Sequence, residues 1–155
     1  MENTFKTLIE YHCSLNLRVC ASIAVIDDEQ FTRDDAYSRG SIRNLMVHIA
    51  STDRRWLAGL RNLPDVGHLN FADYPDHKSL VALFETTSKD LLEYVGGMSI
   101  SDLEAIPGGI PNPRWQILQH MVNHGTDHRS TVLQKLSEFG APTFDQDFIS
   151  WLWKH

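Results

Sequence analysis

The sequence predicts an all-α protein, a bundle of four long helices followed by a short C-terminal helix. Apolar residues in four long segments recur at alternating steps of three and four, the spacing of one helix face. No segment sustains the period-two alternation of a strand. Glycine, proline and capping residues separate the segments.

The first helix is expected from about Thr4 to Ile26, with Phe5, Leu8, His12, Leu15, Val19, Ser22 and Ile26 on one stripe and Asp27-Asp28 closing it. The second starts after Ser41, a good N-cap, and carries Leu45, Ile49, Trp56 and Leu60 to about Asn62. The third runs from about His77 to Val95, where Gly96-Gly97 ends it. The fourth is capped by Asn112, with Pro113 at the first helical position, where a missing N–H costs nothing. It runs to about Phe139, before Gly140 and Pro142. A last helix spans Gln146 to Trp153, and burial is expected for Trp151 and Trp153. The connections 27–40, 63–76 and 97–112 are long enough to cross a bundle, so up-down topology is not forced.

At 155 residues, with 42% of them apolar, the chain is expected to form one domain, 1–155, with a core that needs no disulfide. The formal net charge of -6 and the lack of any basic run argue against nucleic acid and against an anionic membrane surface. Cys13 and Cys20 lie seven residues apart on one predicted helix, roughly 10 Å between Cα atoms, too far to bridge. They read as small core residues in a reducing compartment. No secretory leader or membrane span is expected, which points to the cytoplasm.

The concentrated chemistry is histidine. His120, His124 and His128 follow one another at steps of four on the fourth helix. Residues at i and i+4 lie one turn apart on one face, close enough for two imidazoles to share a metal. His124 and His128 fall with Ile117 and Met121 near the centre of the apolar stripe, and His120 nearer its edge. Two imidazoles in an apolar core are costly unless their nitrogens are satisfied, and a metal accepts their lone pairs. A third ligand should come from a neighbouring helix. His48, beside Leu45 and Ile49, is the best candidate. His12 also falls in a core stripe but reads as a hydrogen-bonded core residue, and His120 reads the same way. His68, His77 and His155 read as exposed loop or terminal residues. Asn16, Asp53 and Asp127 read as solvated polar residues, with a role behind the ligands or in a pocket as the alternative.

Gly125 stands where the glutamate of H-E-x-x-H would be, and no E-x-x-H, G-x-S-x-G or phosphate-binding glycine loop appears.

At these residues the chain resembles the DinB family of metalloenzyme-like proteins. The stretch Trp115, Leu118, His120, Asn123, His124, His128, Arg129 is similar to that family's pattern W-x-x-L-x-H-x-x-N-H-x-x-x-H-R. Ser41, Leu45 and His48, followed by Trp56-Leu57, resemble its second helix, and Gly140-Ala141-Pro142 with Asp147-Phe148-Ile149 its tail. Where the family often continues H-R-G-Q, this chain reads His128-Arg129-Ser130-Thr131. The resemblance implies a four-helix bundle with a long crossover connection, a metal site on His48, His124 and His128, and a homodimer. It also implies chemistry on a small-molecule substrate, with a low-molecular-weight thiol as cosubstrate.

Three imidazoles leave one divalent ion per chain, zinc or nickel first and iron as a further option, with open positions. The leading expectation is a metal-dependent enzyme acting on a small electrophile as a thiol S-transferase. The alternatives are a metal-dependent hydrolase, or a non-catalytic dimeric stress-response protein that binds metal. No catalytic residue beyond the ligands is identified.

Overall fold

The structure is a computed structural model and describes residues 2–155. It is all-helical, with no strand among the described residues. The helices are α1 (Glu2–Ile23), α2 (Asp28–Thr32), α3 (Ile42–Leu60), α4 (His77–Gly96), α5 (Ile100–Glu104), α6 (Arg114–Glu138) and α7 (Phe148–Leu152). A single 3-10 turn covers Phe71–Asp73.

The four long helices were legible, and their ends were partly so. Ser41 caps α3 as expected, accepting from the Asn44 N–H. The first helix stops at Ile23 rather than Ile26, and Asp27 opens a new helix instead of closing the old one. Its carboxylate accepts from the Gln30 N–H while the Gln30 side chain bonds back to the Asp27 N–H. That reciprocal pair stabilises α2, whose Phe31 is buried. Ser99 and Asp102 do the same for α5, and Asp76 and Ser79 start α4. On α6 the expected cap shifts by one residue. Pro113 itself is the N-cap and makes no side-chain cap bond, while Asn112 donates to Gln116 Oε1 at 2.8 Å.

Helices α1 and α3 each lie against both α4 and α6. The buried apolar residues form two clusters. One joins Val19 and Ile23 of α1 to Leu45 and Ile49 of α3, Phe84 of α4 and Val132 of α6. The other joins Ile9, Leu57, Leu91 and Met121 from the same four helices. The first half of α1 and of α6 thus shares a cluster with the second half of α3 and of α4. So α1 and α6 run one way, and α3 and α4 the other. Leu69, Phe71 and Tyr74 of the segment joining α3 to α4 pack on the cluster far from the end of α3, so this segment runs the length of the helices.

Between the two clusters every long helix contributes polar or small residues that are buried: His12 and Asn16, Asp53, Thr87 and Ser88, Gly125 and Arg129. Asn16 and Asp53 were expected in solvent. They are 2% and 0% exposed: Asn16 accepts from the buried guanidinium of Arg129, and Asp53 bonds His12, which accepts from the same guanidinium. Cys13 and Cys20 are buried free thiols, and burial pushes each up to about 12.

The tail helix is shorter than expected, starting at Phe148 rather than Gln146. Trp151 is half-buried, edge-on to Tyr11 at 5.8 Å, and its indole N–H donates to Ser14 Oγ at 2.9 Å. Trp153 is 78% exposed. A five-residue helix turns only one face to the core, and two positions on from Trp151 is not that face.

Gly125 is needed for close approach. A Cβ there would sit 2.3 Å from His12 Cε1 and 2.7 Å from His12 Nδ1. Gly125→Ala would gain about 1 kcal/mol of helix propensity, but overpacking of this kind costs roughly 1–3 kcal/mol. Because His12 is held on both ring nitrogens and cannot move aside, the net change is expected to be destabilising. A lower urea midpoint with unchanged helical circular dichroism is the expected result; an unchanged midpoint would contradict this packing.

Candidate metal centre

His48 lies on α3 between residues that fix the helix rotation. Leu45 and Ile49 are fully buried, which leaves His48 on the flank of the core at 9% exposure. His124 and His128 lie on α6 beside the buried Met121, Gly125 and Val132. Both are half-buried rather than central in the stripe. The centre belongs to Gly125 and Arg129, and this one-residue rotation turns the two imidazoles towards α3 and the surface.

The three rings converge. One ligand nitrogen from each of His48, His124 and His128 lies within 4.8 Å of the other two. His48 Nε2 and His124 Nε2 face each other at 3.1 Å, across 76 residues of sequence. Ring centroids are 4.5 to 5.0 Å apart, each pair edge to face. Two nitrogens each about 2 Å from one tetrahedral ion sit about 3.3 Å apart, so the observed spacing fits a shared cation.

Protonation favours the same conclusion. Burial, helped by Arg39 and the neighbouring imidazoles, holds His48 down to about 3. Burial and His128 hold His124 at about 4, and burial also lowers His128. All three present lone pairs at neutral pH. His124 Nδ1 is buried without a hydrogen-bond partner, as is Asp53 Oδ1, among the described residues. The donor set of three imidazoles, with the Nε2 atoms of His48 and His124 facing each other, fits a metal.

His12 is not part of the cluster. Arginine can only donate, so His12 Nδ1 accepts from Arg129 Nη1 at 3.2 Å. Its Nε2 then donates to Asp53 Oδ2 at 2.8 Å. Arg129, fully buried, also donates to Asn16 Oδ1 at 2.7 Å, Gln146 Oε1 at 2.9 Å and Thr126 Oγ1 at 3.1 Å. His12 is therefore a hydrogen-bonded core histidine, as its position alone suggested. His120 is exposed, not in the core, with its ring edge-on to Trp56 at 5.4 Å. Asp127 is exposed as expected. His68 and His155 are exposed, while His77 is half-buried and bonds the Cys20 carbonyl at 2.8 Å.

A cavity of about 650 Å³ opens beside the cluster. His48 and His124 form part of its wall, with Trp56, Ile110, His120 and Arg39 around them. Arg39 sits in a loop with no periodicity, so sequence reasoning had no signal for it. Asp53 had a weak one, an acid one helical turn and a half beyond His48, but its partner His12 lies 41 residues away.

The depressed histidines give the folded protein a defined pH dependence. In the unfolded chain they titrate near 6.5. Between that value and the folded values of about 3 and about 4, the unfolded state takes up protons that the folded state does not. Stability is therefore full above the unfolded value and falls as pH drops through this window. The thermal midpoint of metal-free protein should decline from pH 6.5 to 4, and His48→Asn should flatten the decline. Parallel profiles for the two proteins would show that His48 is not held neutral.

The chain has no significant match among curated proteins. Its residues 1–154 match the sequence pattern of the DinB family, which reaches essentially from end to end and includes all three clustered histidines. The chain belongs to the DinB family.

Proposed function

We propose that His48, His124 and His128 ligate one divalent metal ion, zinc or nickel, and that the protein is a metal-dependent enzyme for a small electrophilic substrate. The observation that carries this is the convergence of three neutral imidazoles, two of which, His48 and His124, line a cavity large enough for a small molecule. A three-imidazole site leaves metal positions open, and open sites belong to catalysis more often than to structure. The two apolar clusters stand on their own, so the fold does not need a metal to hold it together.

When bound, the ion would supply Lewis acidity that lowers the pKa of a coordinated thiol or water. The residues do the rest. Trp56, Leu63 and Ile110 give the cavity an apolar wall that excludes water from a reacting thiolate. His120, on the rim against Trp56, is placed to shuttle a proton between cavity and solvent. The reaction class is S-transfer from a low-molecular-weight thiol. The helix directions and the long segment between α3 and α4 favour the four-helix bundle with a crossover connection that the family resemblance implies. We read residues 1–155 as one domain working in the cytoplasm, and no described helix is long and apolar enough to cross a membrane. Exposed Ile149, Leu152 and Trp153 form the patch that a second copy would cover in a homodimer.

Elemental analysis of untagged protein tests the first step. About one divalent ion per chain is expected, lost in His124→Ala with the helical signal intact. No metal after incubation with zinc or nickel would overturn the proposal. The metal-loaded protein should then accelerate displacement of chloride from monochlorobimane by a thiol, forming the thioether and releasing chloride and a proton, and stripping the metal should abolish the acceleration.

A further inference from the structure

We infer that the cavity beside the three histidines is selective for a carboxylate-bearing ligand, and that Arg39 is the residue that selects it. The inference rests on the metal reading above for one end of the ligand and on the cavity's own charges for the other.

The chain as a whole carries a net charge of -6, yet the cavity is not acidic. Its charged lining residues are Arg39, Arg55 and Asp65. Arg55 and Asp65 cancel each other. Arg55 Nε and Nη2 donate to the two Asp65 oxygens at 2.9 and 2.7 Å, a closed bidentate pair. Arg39 has no carboxylate partner among the described residues. The lining therefore carries one uncancelled positive charge, before any metal is counted.

The backbone that carries this charge is anchored beside the site. The Asn44 side chain donates to the Arg39 carbonyl at 3.1 Å, and the Gly40 N–H bonds Tyr37 O at 3.0 Å. The first ties the Arg39 backbone to the first turn of α3, the helix that carries His48, and the second closes the turn before it. The Arg39 side chain reaches the cavity wall, near enough for its charge to bear on His48 and His128. A free guanidinium matches a carboxylate in two parallel hydrogen bonds, and a cavity with apolar walls strengthens them.

These features describe a bifunctional ligand. A soft donor such as a thiolate would face the three histidines, an apolar body would lie on Trp56 and Ile110, and a carboxylate would meet Arg39. An amide of the same shape would leave the guanidinium unanswered.

The test uses the full chain loaded with cobalt, whose near-ultraviolet charge-transfer band reports thiolate binding. 3-Mercaptopropionate is titrated against 3-mercaptopropionamide, matched in length and thiol. Wild type should bind the acid at least about tenfold more tightly than the amide. Arg39→Gln should bind both equally, and Arg39→Lys should keep part of the preference, which should also shrink with added salt. A band with equal affinities in wild type would overturn the anion inference and leave the metal reading standing. Failure to bind cobalt at all would overturn the metal reading. In that case succinate is titrated into metal-free wild type and Arg39→Gln by calorimetry. Binding lost in the variant supports Arg39 as the carboxylate site, and identical isotherms overturn it.

Discussion

A fully buried arginine sits in the middle of this helical protein, and much of the surrounding structure follows from it. Leaving such a charge unanswered would cost on the order of several kcal/mol. Arg129 is answered on every side. Asn16, Thr126 and Gln146 accept its hydrogen bonds, and His12, which also accepts one, donates to the carboxylate of Asp53. The chain Arg129–His12–Asp53 links α6, α1 and α3 at one level, between two apolar clusters. Non-directional packing alone would let four amphipathic helices slide and rotate against each other. Hydrogen bonds of fixed length between named atoms fix their register.

The same layer positions the histidine cluster. Gly125 lets His12 press against α6, and its neighbour His124 is carried outwards to meet His48. Arg129 takes the inward direction on α6, so His128, one residue before it, faces the rim. The core network and the candidate ligands are thus interleaved on one stretch of helix. A single rotation of α6 sets both. The two buried atoms without partners, Asp53 Oδ1 and His124 Nδ1, belong to the two sides of this boundary. Asp53 contributes through charge to His124, opposing the effect of burial.

Electrostatics separate the cavity from the rest of the molecule. The chain carries a net charge of -6, while the cavity joins neutral imidazoles, one closed ion pair and a guanidinium with no carboxylate partner among the described residues. Burial keeps the imidazoles ready to donate lone pairs. The combination suits a small anionic ligand.

The sequence by itself determined the four long helices, the Ser41 cap, the inertness of the two cysteines and the pairing of His124 with His128. All of these depend on residues within a turn or two of each other, where periodicity and capping act. It also carried the family pattern that pointed to His48. Tertiary structure alone decided that Asp53 and Asn16 are buried, that His120 looks outwards, and that Arg39 reaches the cavity. Each of these turns on a partner tens of residues away, or on which of two adjacent positions wins the core-facing direction. Periodicity locates a face to within about one residue, or 100° of rotation. Here that one residue separates a core arginine from a candidate metal ligand.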